Sequence, residues 1–235
     1  MSRRSDIKAR QLPLDLGHHA ELSRENLIVS PANAAAVALV DRWPDWTSPV
    51  AVLAGPTGSG KSHLAEIWAQ AADAVRLSPA GLGDGFEAAQ QGRAILIDGI
   101  ATGECDQTAL FHLINQVRTA NSFMLLTSRA FPAAWGVTLP DLASRLRAAT
   151  VVEIGEPDDL LLAGVITKLF ADRQVEVEAH VVAYLISRIE RSLSTAGRVV
   201  DELDRTALEQ KSRVTRTLAA SVITALDEGQ GDLGL

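Results

Sequence analysis

The chain has 235 residues, 47% of them hydrophobic, a formal net charge of −7 and a single cysteine. That length and apolar content suit one larger domain joined to a smaller one. The acidic balance, with no basic stripe standing out after residue 10, argues against a dedicated reader of duplex DNA, which needs a cationic footprint. Cys105 alone excludes an intrachain disulfide and fits a reducing interior. The opening residues, MSRRSDIKARQLPLDL, carry charge but no apolar core of a secretion signal. The longest apolar run, residues 34–40, is far short of the roughly 20 residues a membrane span needs. A cytoplasmic, membrane-free protein is expected.

Residues 1–22 are polar apart from Leu12, Leu14 and Leu16, and read as a flexible tail. Pro13 pushes Leu12 towards extended backbone, and a period of two places the three leucines near one face. Such a short segment cannot bury them alone. Either the tail adds a strand to the domain's own sheet, or it docks on a partner.

Residues 23–155 alternate strand-like and helix-like. VAVLAG (50–55), AILIDG (94–99), SFMLLTS (122–128) and TVVEIG (150–155) are short apolar runs of the kind that form fully buried parallel strands. Helical stretches lie between them over 62–72 and 108–119. The expectation is an α/β fold: a parallel sheet covered by helices on both faces. Past residue 155 the strands stop. Leu162, Val165, Ile166, Leu169 and Phe170 keep helical spacing behind a candidate cap at Asp158, and Val181, Val182, Leu185, Ile186 and Ile189 repeat it. Two more helices are predicted, from about Thr195 to Lys211 and from Thr215 to near Leu226. Residues 156–228 therefore read as a small all-helical unit, and 229–235 as a frayed end.

GPTGSGKS (55–62) matches G-x-x-x-x-G-K-[ST] and sits between a strand and a helix, as that motif requires. Gly55, Thr57, Gly58, Ser59 and Gly60 would turn amides towards phosphate oxygens at a helix N-terminus. Lys61 would reach the terminal phosphates, Ser62 would ligate Mg²⁺, and His63 follows in the first helical turn. Asp98, ending its strand, is the second expected Mg²⁺ group. The next position, where many ATPases of this layout hold a second acid that polarises water, is Gly99, with Glu104 some way beyond. Nucleotide binding with slow intrinsic hydrolysis follows. Arg145 and Arg147 lie between the last two predicted strands. They are either solvated surface groups or, for one of them, a finger reaching a neighbouring subunit's nucleotide. Arg198 either pairs with Asp201 or Glu202, or reaches back to the protein's own nucleotide. His18 and His19 have no partner at metal-ligand spacing, Trp43 and Trp46 read as packing beside the first strand, and Cys105 lacks a base or cationic cluster to activate it.

NLIVSPANAAAV (26–37), GPTGSGKS, ILIDGI (95–100), MLLTS (124–128), LPDLASRL (139–146) and VDELDR (200–205) occur in this order. Together they resemble the AAA+ family of the bacterial replication initiator DnaA over nearly the whole chain. The resemblance implies an AAA+ α/β domain over 23–155 with a helical lid over 156–228. It places Leu27 and Ile28 near adenine, Thr127 and Ser128 as a polar sensor, and Arg198 as a lid sensor. It assigns Arg145 as an arginine finger offered in trans to ATP on DnaA. In regulatory members of the family a Q-L-x-L-x-L peptide binds the DNA polymerase sliding clamp, and Gln11, Leu12, Leu14 and Leu16 match it. The implied cofactor is ADP or ATP with Mg²⁺, ADP supporting the active form. The implied partners are the clamp and DnaA, with a homodimer conceivable. No segment is left for the initiator's DNA-binding domain, so no sequence-specific DNA contact is expected. Two other readings stay open: a self-sufficient ATPase such as a helicase loader or DNA-remodelling motor, and a small-molecule kinase.

Overall fold

The computed structural model describes Arg24, residues 27–101 and residues 105–231. The leucine segment Gln11, Leu12, Leu14 and Leu16, and Glu104, lie outside them. Five parallel strands form one sheet: β1 (Val50–Ala54), β2 (Val75–Leu77), β3 (Ile95–Ile100), β4 (Met124–Ser128) and β5 (Thr150–Glu153), in the order β2-β3-β4-β1-β5. β1 reads as unbroken apolar sequence because it is central and covered on both faces, and all five of its residues are buried. Alternation sorts them. Ala51 and Leu53 join Leu96 and Leu125 under helices α1 (Ala34–Arg42) and α2 (Lys61–Ala71). Val50 and Val52 join Ile95, Ile97, Met124 and Leu126 under α3 (Gly85–Gln90), α4 (Gln107–Thr119) and α5 (Pro140–Arg147). Trp46 stacks on Trp68 with ring centroids 5.4 Å apart and meets Phe123 edge-on, so the tryptophans of this region pack beside the first strand.

The four strands expected from sequence are present, and β2 is added. It is three residues long, at the sheet edge, with Arg76 turned out to pair with Glu66, so it carries no apolar run to read. Three helices also escaped the sequence pattern. Of these, α5 has Pro140 in its first turn, and Leu142 and Leu146, one turn apart, are buried against the sheet's second face.

Four helices follow the sheet: α6 (Asp159–Asp172), α7 (Ala179–Ile186), α8 (Leu193–Gln210) and α9 (Arg216–Gly231). They bury their own core, with Leu162, Ile166, Phe170, Leu185, Val200 and Leu203 at its centre. Asp158 caps α6 as predicted, accepting from the Leu161 amide at 2.8 Å; its second oxygen accepts from Ala32 and so ties the helix to the segment before α1. Those backbone amides, the Leu161 bond foremost, hold its carboxyl below the usual range. α8 starts two residues before the predicted Thr195 because Ser192 provides the cap. α9 runs to Gly231, past the predicted end near Leu226, so 229–231 are helical rather than frayed; 232–235 lie outside the described residues.

Candidate nucleotide-binding site

Strand β1 ends against the loop 55–60 at the carboxyl edge of the sheet. The Gly55 amide donates to the Ser128 carbonyl at 3.1 Å, anchoring the loop to β4. Thr57 is exposed at the turn, Ser59 is buried, and Gly60 starts α2 in a left-handed conformation. Gly58 has φ +74°, and a Cβ there would lie 2.1 Å from the Ser192 hydroxyl. The loop is therefore pressed against the start of α8, and the Leu193 amide donates to the Gly58 carbonyl at 2.8 Å. A side chain at 58 would pry the helical part off the loop.

The Lys61 ammonium is nearly buried and folds back on the loop, donating to the Pro56 carbonyl at 2.6 Å and the Ser59 hydroxyl at 3.3 Å. Burial holds its pKa below the ordinary lysine value; the Asp98 carboxylate opposes that shift and the Arg129 guanidinium adds to it. Arg129, exposed directly after β4, was not singled out from sequence. Nothing in the strand run marked it, since its nearness to Lys61 comes from the parallel pairing of β1 with β4.

Asp98 leaves the sheet where the β3–β4 register shifts between Ile97 and Ile100, which exposes its carboxylate instead of burying it in the ladder. The Ser62 hydroxyl donates to it at 3.0 Å, and so does the Thr127 hydroxyl, which in turn accepts the Gly99 amide at 2.7 Å. Gly99 has φ +80°, a conformation that L side chains rarely adopt. Between the two sensor candidates, Thr127 makes the contact: the Ser128 hydroxyl accepts from the Ala130 amide and closes the turn after β4. Ser62 and Asp98 offer two hard oxygen ligands side by side, a donor set that suits Mg²⁺ completed by phosphate oxygens and water. Among the described residues no cluster of three or more His, Cys, Asp or Glu side chains could hold a metal by itself.

Behind the loop lies a mostly apolar cavity of about 220 Å³. Leu27 and Ile28 line it from the N-terminal segment, and Ser59, Gly60 and His63 from the loop and α2. Leu161, Val165 and Lys168 line it from α6, and Leu193 and Gly197 from α8. The Nε2 atom of His63 is buried without a hydrogen-bond partner among the described residues. Burial holds His63 below its ordinary value, and the residue lines the cavity. A flat heteroaromatic base fits such walls, and the orphaned nitrogen is a polar group for its edge.

Arg145 and Arg198 lie elsewhere. Arg145 is on α5, which packs on α4 and the turn 132–134; it does not line the cavity, and among the described residues its guanidinium forms no hydrogen bond or ion pair. Arg198 does not line the cavity either. It sits one residue round α8 from Gly197, bonds to the Thr195 hydroxyl at 3.3 Å and borders a separate depression with Glu190 and Asp227. A rotation of 100° per residue turns it off the face that Leu193 and Gly197 present. Cys105 is half-buried, and burial pushes its thiol up, away from a nucleophilic role.

A parallel sheet with a phosphate loop after its first strand, an acid at the end of its third and a helical unit seated on the loop defines the AAA+ fold. Domain III of the replication initiation protein DnaA from Thermotoga maritima superposes with a TM-score of 0.75 at 17% identity, covering 88% of this chain and 97% of that one. DnaA from Aquifex aeolicus, solved with AMPPCP, gives 0.66 at 20% identity over 82% of this chain and 68% of its own. The Thermotoga maritima RuvB branch-migration motor gives 0.64 at 19% identity over 83% and 67%. An uncharacterised protein of Haemophilus influenzae is 25% identical over 219 residues, 88% of this chain and 95% of its own. No protein-family model matches the chain. Among the described residues no helix is long and apolar enough to cross a membrane.

Proposed function

We propose that this chain is a nucleotide-binding regulator that keeps a spent nucleotide in its own site and lends Arg145 to ATP bound on DnaA, stimulating that hydrolysis and preventing re-initiation of replication. Its counterpart would be Hda, the regulatory inactivator of DnaA. The observation that carries the reading is the separation of two half-sites. Lys61, Ser62, Asp98 and Thr127 make a phosphate and Mg²⁺ site, yet the position after Asp98 is a glycine with no acid to activate water. The candidate finger, Arg145, stands unpaired on another element. Likeness to DnaA domain III and to DnaA solved with AMPPCP supports the nucleotide part. Through the resemblance, Gln11, Leu12, Leu14 and Leu16 tether the chain to the DNA polymerase sliding clamp, an extended proline-stiffened peptide losing little entropy on docking.

The test is a reconstituted assay: hydrolysis of ATP on DnaA, with and without clamp loaded on DNA. Stimulation that requires both this chain and the loaded clamp is the expected result. Replacing Gln11 and Leu12 by alanine should abolish both clamp capture and the clamp-dependent stimulation; retained capture would return the leucine segment to the domain's own sheet. Likeness to the RuvB motor favours a second reading, a self-sufficient ATPase. Steady turnover by the purified chain alone would establish that reading and displace the first.

Gly197 tests the cavity as the base site. A Cβ there meets nothing within 4 Å, and the residue is in the interior of a helix. Leucine at 197 should fill the cavity and weaken ADP binding at least roughly tenfold, since lost burial of a base outweighs one hydrogen bond. Without nucleotide the fold should hold or gain up to about 1 kcal/mol from removing a helical glycine. Titration calorimetry and a thermal melt read the two effects, and unchanged ADP affinity would move the base out of this cavity.

A further inference from the structure

Tyr184, in α7, carries two guanidinium groups on its ring: Arg216 at 4.8 Å from the centroid and Arg188 at 5.8 Å. Arg216 opens α9, and Arg188 lies one turn beyond Tyr184. Lys211, the cap of α8, and Arg213 complete the turn that leads into α9. All four cations are exposed, and among the described residues none of them forms an ion pair. Other arginines of the helical part do: Arg173 pairs with Asp201, Arg191 with Asp159 and Arg205 with Glu202. The nearby acids are Glu190 and Asp227, which border Arg188 in the shallow depression shared with Arg198, and Glu209, two residues before Lys211.

An aromatic ring holds a guanidinium in place without cancelling its charge, whereas a carboxylate does both. The outward N–H groups of Arg188 and Arg216 therefore stay available, already fixed in direction, for forked bonds to phosphate. In a chain of net charge −7, two guanidinium groups on one ring, with Lys211 and Arg213 in the turn that leads to Arg216, are a local concentration of positive charge. Arg188 is far from KSRVTR (211–216) in the chain and meets its Arg216 only on the Tyr184 ring.

We propose that this face binds the phosphate backbone of a nucleic-acid strand, without reading its sequence. Repeated single charges along one chain match a row of separate cations and arginine forks better than the scattered carboxylates of a protein surface do. The proposal is independent of the nucleotide site: none of Tyr184, Arg188, Lys211, Arg213 and Arg216 lines the 220 Å³ cavity.

The test is fluorescence anisotropy with a labelled DNA strand of mixed sequence, about 16 nucleotides long, between about 50 and 200 mM salt. The intact chain should bind with an affinity that falls steeply with salt. The double variant Arg213→Glu, Arg216→Glu should bind at least roughly tenfold more weakly and lose about 1.4 from the salt slope. A third variant, Tyr184→Leu, should weaken binding while leaving all four charges in place. Unchanged ADP affinity and thermal melts show that the variants are folded. Absence of binding at the lowest salt overturns the proposal. So does binding unaffected by the double variant, or capture by anionic phosphatidylglycerol vesicles without any binding of DNA.

Discussion

Replacing Arg145 by alanine should cut stimulated hydrolysis of DnaA-bound ATP by roughly 10³- to 10⁵-fold, the range an arginine finger supplies, while leaving clamp capture and the chain's own ADP affinity unchanged. The separation follows from where the residue is built. Leu142 and Leu146 bury α5 against the sheet's second face, so the helix is fixed. Arg145 lies between them in sequence, half-buried, with no partner among the described residues. A guanidinium held this way neutralises nothing at home. It has most to gain where negative charge develops on a transferring phosphoryl group in a companion's site. Arg145→Lys should stay largely inactive, because an ammonium keeps the charge but loses the planar fork. Single-turnover hydrolysis of labelled ATP on DnaA measures both, and stimulation that survives the alanine change removes Arg145 from the mechanism. The exposed neighbour Arg147 is the control: its alanine variant should behave as the unaltered protein does.

Lys61→Met should act in opposite directions on the free and the loaded protein. With nucleotide, truncating one partner of a buried charge pair costs about 2–5 kcal/mol, or at least roughly 30-fold in affinity for ADP. Without nucleotide, Lys61 is a cation that burial disfavours, crowded further by Arg129 and held by a loop carbonyl and a hydroxyl. Removing it relieves that cost, so the empty variant should be at least as stable as the unaltered chain. The pH dependence carries the same sign. The folded lysine titrates below 10.5 and the unfolded one at it, so between those values the unfolded state holds more protons. The free protein therefore gains stability as pH rises through that window and loses it as pH falls, and the methionine variant should lack this slope. Thermal melts with and without ADP decide the matter. At a hundredfold excess over the Kd of the unaltered chain, ADP adds about 2.7 kcal/mol to that chain and at most about 0.9 kcal/mol to a variant weakened roughly 30-fold or more. A variant stabilised by ADP as much as the unaltered chain would mean that phosphate is held without Lys61.

Some of the site was legible residue by residue. GPTGSGKS is a contiguous motif whose flanking strand and helix are equally local, so sequence sufficed to place Lys61 and Ser62 together. The pairing of Ser62 with Asp98 was foreseen because each ends or begins a recognisable element. Thr127 and Ser128 could not be separated, since which hydroxyl faces Asp98 depends on a register irregularity between two strands far apart in the chain. That Arg198 borders a different depression from the one Gly197 lines was not legible, because one residue on a helix is a rotation of 100°. The seat of Ser192 and Leu193 on the phosphate loop left no local mark at all.

By itself the sequence determined the parallel α/β layer, the glycine-rich loop after β1, the acid in β3 and the helical unit behind Asp158, because each is written in periodicity, capping or a short contiguous motif. Only the tertiary structure decided which arginines face a cavity, which hydroxyl meets Asp98, how closely α8 sits on Gly58, and that Arg188 and Arg216 meet on the Tyr184 ring. Those features join residues distant in the chain, through strand register, helix rotation and packing of one unit on another, and no local pattern carries that information.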